Sequence, residues 1–75
     1  MSKETIKLTI AQNLRRLRKK NGMTMGILAE RLGISYQQVQ KYEKGINSIR
    51  SKKLFDLADM LHCGINDFYQ QGLTD

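Results

Sequence analysis

The sequence predicts an all-α domain of five short helices. Three observations carry this: apolar residues recur every three or four positions, no stretch alternates apolar and polar residues as a strand would, and the 75 residues include no proline to break a helix. A chain of this length closes around one core, so residues 1–75 are expected to form a single domain, with 70–75 as a tail.

Each helix has its own signature. Ile6, Ile10, Leu14 and Leu17 form one stripe over about Glu4 to Lys20, and Asn21-Gly22 follows as a left-handed C-terminal signal. Thr24 is expected to cap a second helix, in which Leu28 and Leu32 lie one turn apart before Gly33. Ser35 caps a third, Tyr36 to Glu43, followed by Gly45. Ser51 is expected to cap a fourth, whose Leu54, Leu57, Ala58 and Leu61 share a face, and Ile65, Phe68 and Tyr69 make the apolar side of a short fifth. The connection from Lys44 to Arg50 carries Ile46 and Ile49, so it is expected to pack in part.

Charge narrows the partners. The net charge is +6, with an isoelectric point near 9.8, and it is uneven. Residues 1–20 hold seven basic side chains and one acidic, whereas residues 51–75 hold two and four. A basic end on a small domain suits a polyanion, either nucleic acid or an anionic membrane surface, and the acidic end would face away from it. The single cysteine, Cys63, excludes an internal disulfide framework. No apolar stretch approaches the roughly 20 residues of a membrane span, and Met1-Ser2-Lys3-Glu4 leads into no apolar signal segment. A soluble cytoplasmic protein is expected.

The window 25–44 is the specific part. Two helices of about eight residues flank the turn Gly33-Ile34-Ser35, which is helix-turn-helix spacing. Helices that cross so tightly need a small residue at the contact, which Ala29 supplies, and a residue comfortable at positive φ in the turn, which Gly33 supplies. Leu28, Leu32, Ile34, Val39 and Tyr42 are expected to point inward and fix the angle.

At this point the chain resembles the phage repressor and Cro-like (Xre-type) helix-turn-helix regulators. The stretches Gly22-Met-Thr24, Leu28-Ala-Glu-Arg-Leu-Gly-Ile-Ser35 and Tyr42-Glu-Lys-Gly45 carry the resemblance, which extends over about Ile10 to Tyr69. It implies a compact five-helix, lambda-repressor-like DNA-binding fold, with the third helix in the major groove and usually a dimer. It also implies that Arg18 and Glu43 form a structural ion pair between the first helix and the end of the third. Three positions depart from the family pattern: Met25 stands where a Gln commonly reaches a phosphate, His62 where Gly commonly ends the fourth helix, and Gly64 where Ser or Thr commonly caps the fifth.

Apart from the resemblance, a helical wheel of the third helix, at about 100° per residue, places Tyr36, Tyr42 and Glu43 near Val39. Gln37, Lys41 and Lys44 fall opposite, with Gln38 and Gln40 on the flanks. Gln can pair with adenine N6 and N7, and Lys can donate to guanine O6 and N7. Tyr36, Gln37, Gln38, Gln40 and Lys41 are therefore candidate base readers; the plainer alternative is a solvated polar face. For Tyr36, packing at the core edge competes with contact to a thymine methyl or a phosphate. Phosphate contacts are expected from Thr24, Met25, Lys44, Asn47, Ser48, Arg50 and Lys52, with Asn13 or Arg16 as further candidates, because helix N-termini and nearby cations favour anions. Any one of these is equally an ordinary surface residue. Glu43 lies on the inward half of its wheel, where an unpaired carboxylate is costly.

Other signals are weaker. Cys63 and His62 are adjacent, point about 100° apart on a helix and are too few for a zinc site; Cys63 reads as a small buried hydrophobe. Asp56 and Asp59 have no accompanying base or nucleophile. No enzyme, metal, cofactor or small-molecule ligand is implied. A membrane-surface helix is a rival for the first helix, but its stripe is needed for the core. The expected function is a DNA-binding transcriptional repressor acting as a homodimer, with Met60, Ile65, Phe68 and Leu73 at the dimer interface. The alternative is a helix-turn-helix module that acts mainly through a protein partner, as an antitoxin does.

Overall fold

The computed structural model describes residues 2–72, which form four α-helices and a closing 3-10 helix. These are α1 (Lys3–Lys20), α2 (Met25–Leu32), α3 (Tyr36–Glu43), α4 (Ser51–Met60) and the 3-10 helix Ile65–Tyr69. No strand occurs among the described residues. The expected fifth helix is thus a correction. With only five residues between Gly64 and Gln70, the segment winds into the tighter form, and Asp67 holds its start by accepting the Gly64 N–H at 2.8 Å.

Local chemistry sets the boundaries. Thr24 Oγ1 accepts the Ile27 N–H at 3.0 Å, and Ser35 Oγ accepts the Gln38 N–H at 3.0 Å, each satisfying an amide that its helix leaves unpaired. Ser2 does the same for α1, accepting from the Thr5 N–H at 3.1 Å. Ser51 does not cap α4: it is the first helical residue, and Arg50 precedes it in an extended conformation with no side-chain cap. Arginine has no acceptor to offer. Gly22 and Gly33 take the left-handed conformation expected of them, at φ 67° and 70°. His62 also adopts it, at φ 54°, where the resemblance places glycine.

Leu14, Leu17, Leu28, Val39, Leu57 and Phe68 centre the core, and Ala29 lets α2 and α3 meet closely. Ile10, Leu32, Ile34, Tyr42 and Ile49 pack against it from partly buried positions. The loop after α3 packs in part, as expected, through Ile49 while Ile46 is 58% exposed; Tyr69, expected on the apolar side of the last segment, is 46% exposed. Ile46 sits in the loop after α3, where the chain turns back, and Phe68 takes the place under α1 that the 3-10 helix offers.

Asn13 fastens that last segment. Its Nδ2 donates to both the Phe68 and Gln70 carbonyls at 2.8 Å, and its Oδ1 accepts from Arg16 Nε and Nη2 at 3.3 Å. At 2% exposure, Asn13 is a structural tie, which corrects its candidacy as a phosphate contact. Arg16, half-buried over it, is drawn into the same network.

Candidate nucleic-acid interface

Burial of Val39 fixes the rotation of α3. Gln37 and Lys41 are exposed, Lys44 is exposed at the end of the helix, and Gln38 and Gln40 are half-buried on the flanks. Tyr36, at the start of the helix, keeps 44% of its surface exposed. Gln37 and Lys41 therefore share the outward side of α3, Gln38 and Gln40 lie at its edges, and Tyr36 stands at the start of the helix.

Most of the expected phosphate positions are open to solvent. Thr24, Asn47, Ser48, Arg50 and Lys52 are exposed. Met25 is half-buried against the core; its thioether has no donor, so what it offers an anion is its main-chain N–H in the first turn of α2. Arg50 stands beside the side-chain-uncapped start of α4, a favourable place for an anion. Lys52 is less dedicated, because its Nζ lies 3.6 Å from Asp56 Oδ2.

Tertiary structure brings in residues that the sequence reading left out. Arg15 of α1 lines a recess with Met25, Gln40 and Lys44, and Lys3 and Lys7 line another with Asn47 and Ser48. The charge run in α1 was visible, but which of its members reach the α3 side depends on how α1 crosses it. Gln38 Nε2 donates to Asn47 Oδ1 at 3.2 Å, joining a candidate base reader to a candidate phosphate contact.

Arg18 and Glu43 form the expected ion pair. Arg18 Nε and Nη2 donate to the two Glu43 oxygens at 2.6 and 3.1 Å, and Nη1 donates to the Met23 carbonyl at 2.8 Å. One guanidinium thus ties α1, the turn before α2 and the end of α3. Both side chains are nearly buried, at 10% and 6% exposure, so the pair holds α3 rather than meeting a partner.

The expected dimer residues divide. Met60 and Ile65 are half-buried, Phe68 is wholly inside the core, and Leu73 lies outside the described residues. Phe68 is corrected on this ground, since its surface is already consumed by packing. The exposed aromatic groups of this half are Phe55, 64% exposed, and Tyr69. Phe55 was legible as an apolar residue off the stripe of its helix.

Cys63 is half-buried, and burial, then the nearby Asp67 carboxylate, pushes its thiol up from its ordinary value. Among the described residues no three His, Cys, Asp or Glu side chains gather to hold a metal, and no helix is long and apolar enough to cross a membrane.

A family model described as helix-turn-helix matches residues 14–68, the same stretch that builds the core and the α2–α3 pair. The chain belongs to the Xre-type helix-turn-helix family. Members are DNA-binding transcriptional regulators rather than enzymes. The chain is 38% identical over 60 residues to an uncharacterized transcriptional regulator in the ATPase CF(0) region of Rhodospirillum rubrum, covering 80% of this chain and 56% of that protein. It is likewise 38% identical over 60 residues to the helix-turn-helix regulator DicA of Escherichia coli, covering 80% and 44%. It spans about half the length of the curated relatives it matches. The solved restriction-modification controller protein C.AhdI of Aeromonas hydrophila superposes with a TM-score of 0.75 at 24% identity, covering 83% of this chain and 94% of that one; the likeness is one of fold.

Proposed function

We propose that this chain is a sequence-specific regulator of transcription that binds double-stranded DNA, represses from a palindromic operator and acts as a homodimer. The observation that carries the reading is the outward face of α3, where Gln37 and Lys41 stand exposed while Val39, on the opposite side of the helix, is fully buried. In this reading α3 enters the major groove and α2 lies across the backbone. Thr24, the main chain at Met25, Lys44, Asn47, Ser48 and Arg50 meet phosphates.

Dimerisation follows from size. An eight-residue reading helix spans too few base pairs for useful selectivity, whereas two copies related by a two-fold axis read half-sites about 34 Å apart. Selection of bound duplexes from a randomised pool at near-physiological salt tests this. The expected result is an inverted repeat with half-sites one helical turn apart. Retention of DNA without any enriched motif would refute base reading.

A second reading, a module working mainly through a protein partner, draws on Phe55 and Tyr69, both exposed in the acidic half of the chain. It predicts binding of DNA without a motif, together with capture of a partner that is lost in Phe55→Ala.

A further inference from the structure

One side-chain hydrogen bond joins the reading helix to the loop that follows it. Gln38 Nε2 donates to Asn47 Oδ1 at 3.2 Å. Bonds from main-chain N–H groups steady both ends: the Gln38 N–H donates to the Ser35 side-chain Oγ at 3.0 Å, and the Ile46 and Asn47 N–H groups both reach the Lys41 carbonyl, at 2.9 and 3.5 Å. The loop therefore presents Asn47 to Gln38 from a backbone anchored on α3 itself.

The consequence lies in what each amide has left. A primary amide carries two N–H donors and one carbonyl oxygen. When the N–H given to Asn47 is the one trans to Oε1, Gln38 retains its other donor and the Oε1 acceptor side by side. That is the pair adenine asks for in the major groove, where N7 accepts and N6 donates. Guanine presents two acceptors there, N7 and O6, and the fixed Gln38 has a single donor to meet them. Asn47 keeps both N–H groups of its Nδ2, which suit a phosphate oxygen.

We propose that Asn47 is a positioning residue for base recognition: it orients the Gln38 amide toward adenine and links that reading to the DNA backbone. The proposal rests on α3 being the base-reading helix. Without the Asn47 acceptor the Gln38 side chain regains its rotamers, and the adenine preference weakens although no base contact has been removed.

The test compares base preferences by selection from a randomised duplex pool, using the full chain as wild type, Gln38→Ala, Asn47→Ala and Asn47→Asp, each first shown to melt cooperatively. The base pair at which wild type enriches adenine and Gln38→Ala does not is the one Gln38 reads. Asn47→Ala is expected to lower the preference there by roughly tenfold, the scale of one good base pairing, and to leave other positions unchanged. Asn47→Asp retains an acceptor for Gln38 while repelling phosphates, so it is expected to bind more weakly to all sequences and still prefer adenine at that pair. Uniform weakening in Asn47→Ala with the adenine preference intact overturns the proposal, as does a Gln38→Ala profile unchanged at every position. If wild type enriches no motif, the base-reading role of α3 fails first, and this proposal fails with it.

Discussion

Arg18 makes three hydrogen bonds to two elements from a nearly buried position. Removing its partner leaves an unpaired buried charge, so Glu43→Ala is expected to destabilise folding by about 3–5 kcal/mol, read as a lower denaturant midpoint. Base preference measured below that midpoint should be unaltered. The exposed readers behave oppositely. Gln37→Ala and Lys41→Ala are expected to leave stability within about 0.5 kcal/mol and to cost about 1–3 kcal/mol of binding at one base pair, whereas Arg50→Ala should weaken all sequences alike. Competition against random DNA separates the two classes; equal losses on cognate and random duplexes would reject the first pair as readers. His62 shows a local strain of the opposite kind. Its φ of 54° suits glycine, so His62→Gly is expected to raise Tm, the relief of about 1–2 kcal/mol being partly offset by the greater freedom of glycine in the unfolded chain.

At the scale of elements, the cap chemistry of α2 and α3 was legible because it is local: Thr24 and Ser35 each reach an amide three residues on. The start of α4 was missed by one residue, since Arg50 and Ser51 both permit an extended turn and the packing of Leu54 and Leu57 decides where the helix begins. The last segment depended on a contact across the fold. Asn13 and Phe68 are 55 positions apart, and nothing in the periodicity of α1 marks Asn13 as the residue that receives the 3-10 helix. Asn13→Ala strands the buried Phe68 carbonyl and frees the part-buried Gln70 carbonyl, and is expected to cost about 2–3 kcal/mol. Hydrogen exchange should show Ile65–Tyr69 losing protection before α2 and α3. Loss of protection spread evenly over all elements would show that Asn13 is not a local tie.

At the scale of the whole molecule, charge asymmetry is the testable property. If about six phosphates are neutralised, log K should fall with log salt at a slope of about −5, from roughly −0.9 per phosphate. A flat response in a filter-binding or anisotropy titration would refute the electrostatic part. Sedimentation on cognate DNA should find two copies per operator; one copy would sink the homodimer. Phe55 is a more accessible anchor for such a contact than the buried Phe68.

The sequence by itself determined the all-α class, the α2–α3 crossing and the outward set on α3. These follow from periodicity, caps, a small residue at the contact and a left-handed turn, all of which act over a few residues. It also pointed through resemblance to the Arg18–Glu43 pair. Tertiary structure alone decided which basic residues of α1 reach the reading side, that Asn13 and Phe68 belong to the core, and that Gln38 is held by Asn47. The reason is physical: these depend on the angle at which one helix crosses another and on where a loop returns, and no local spacing encodes either.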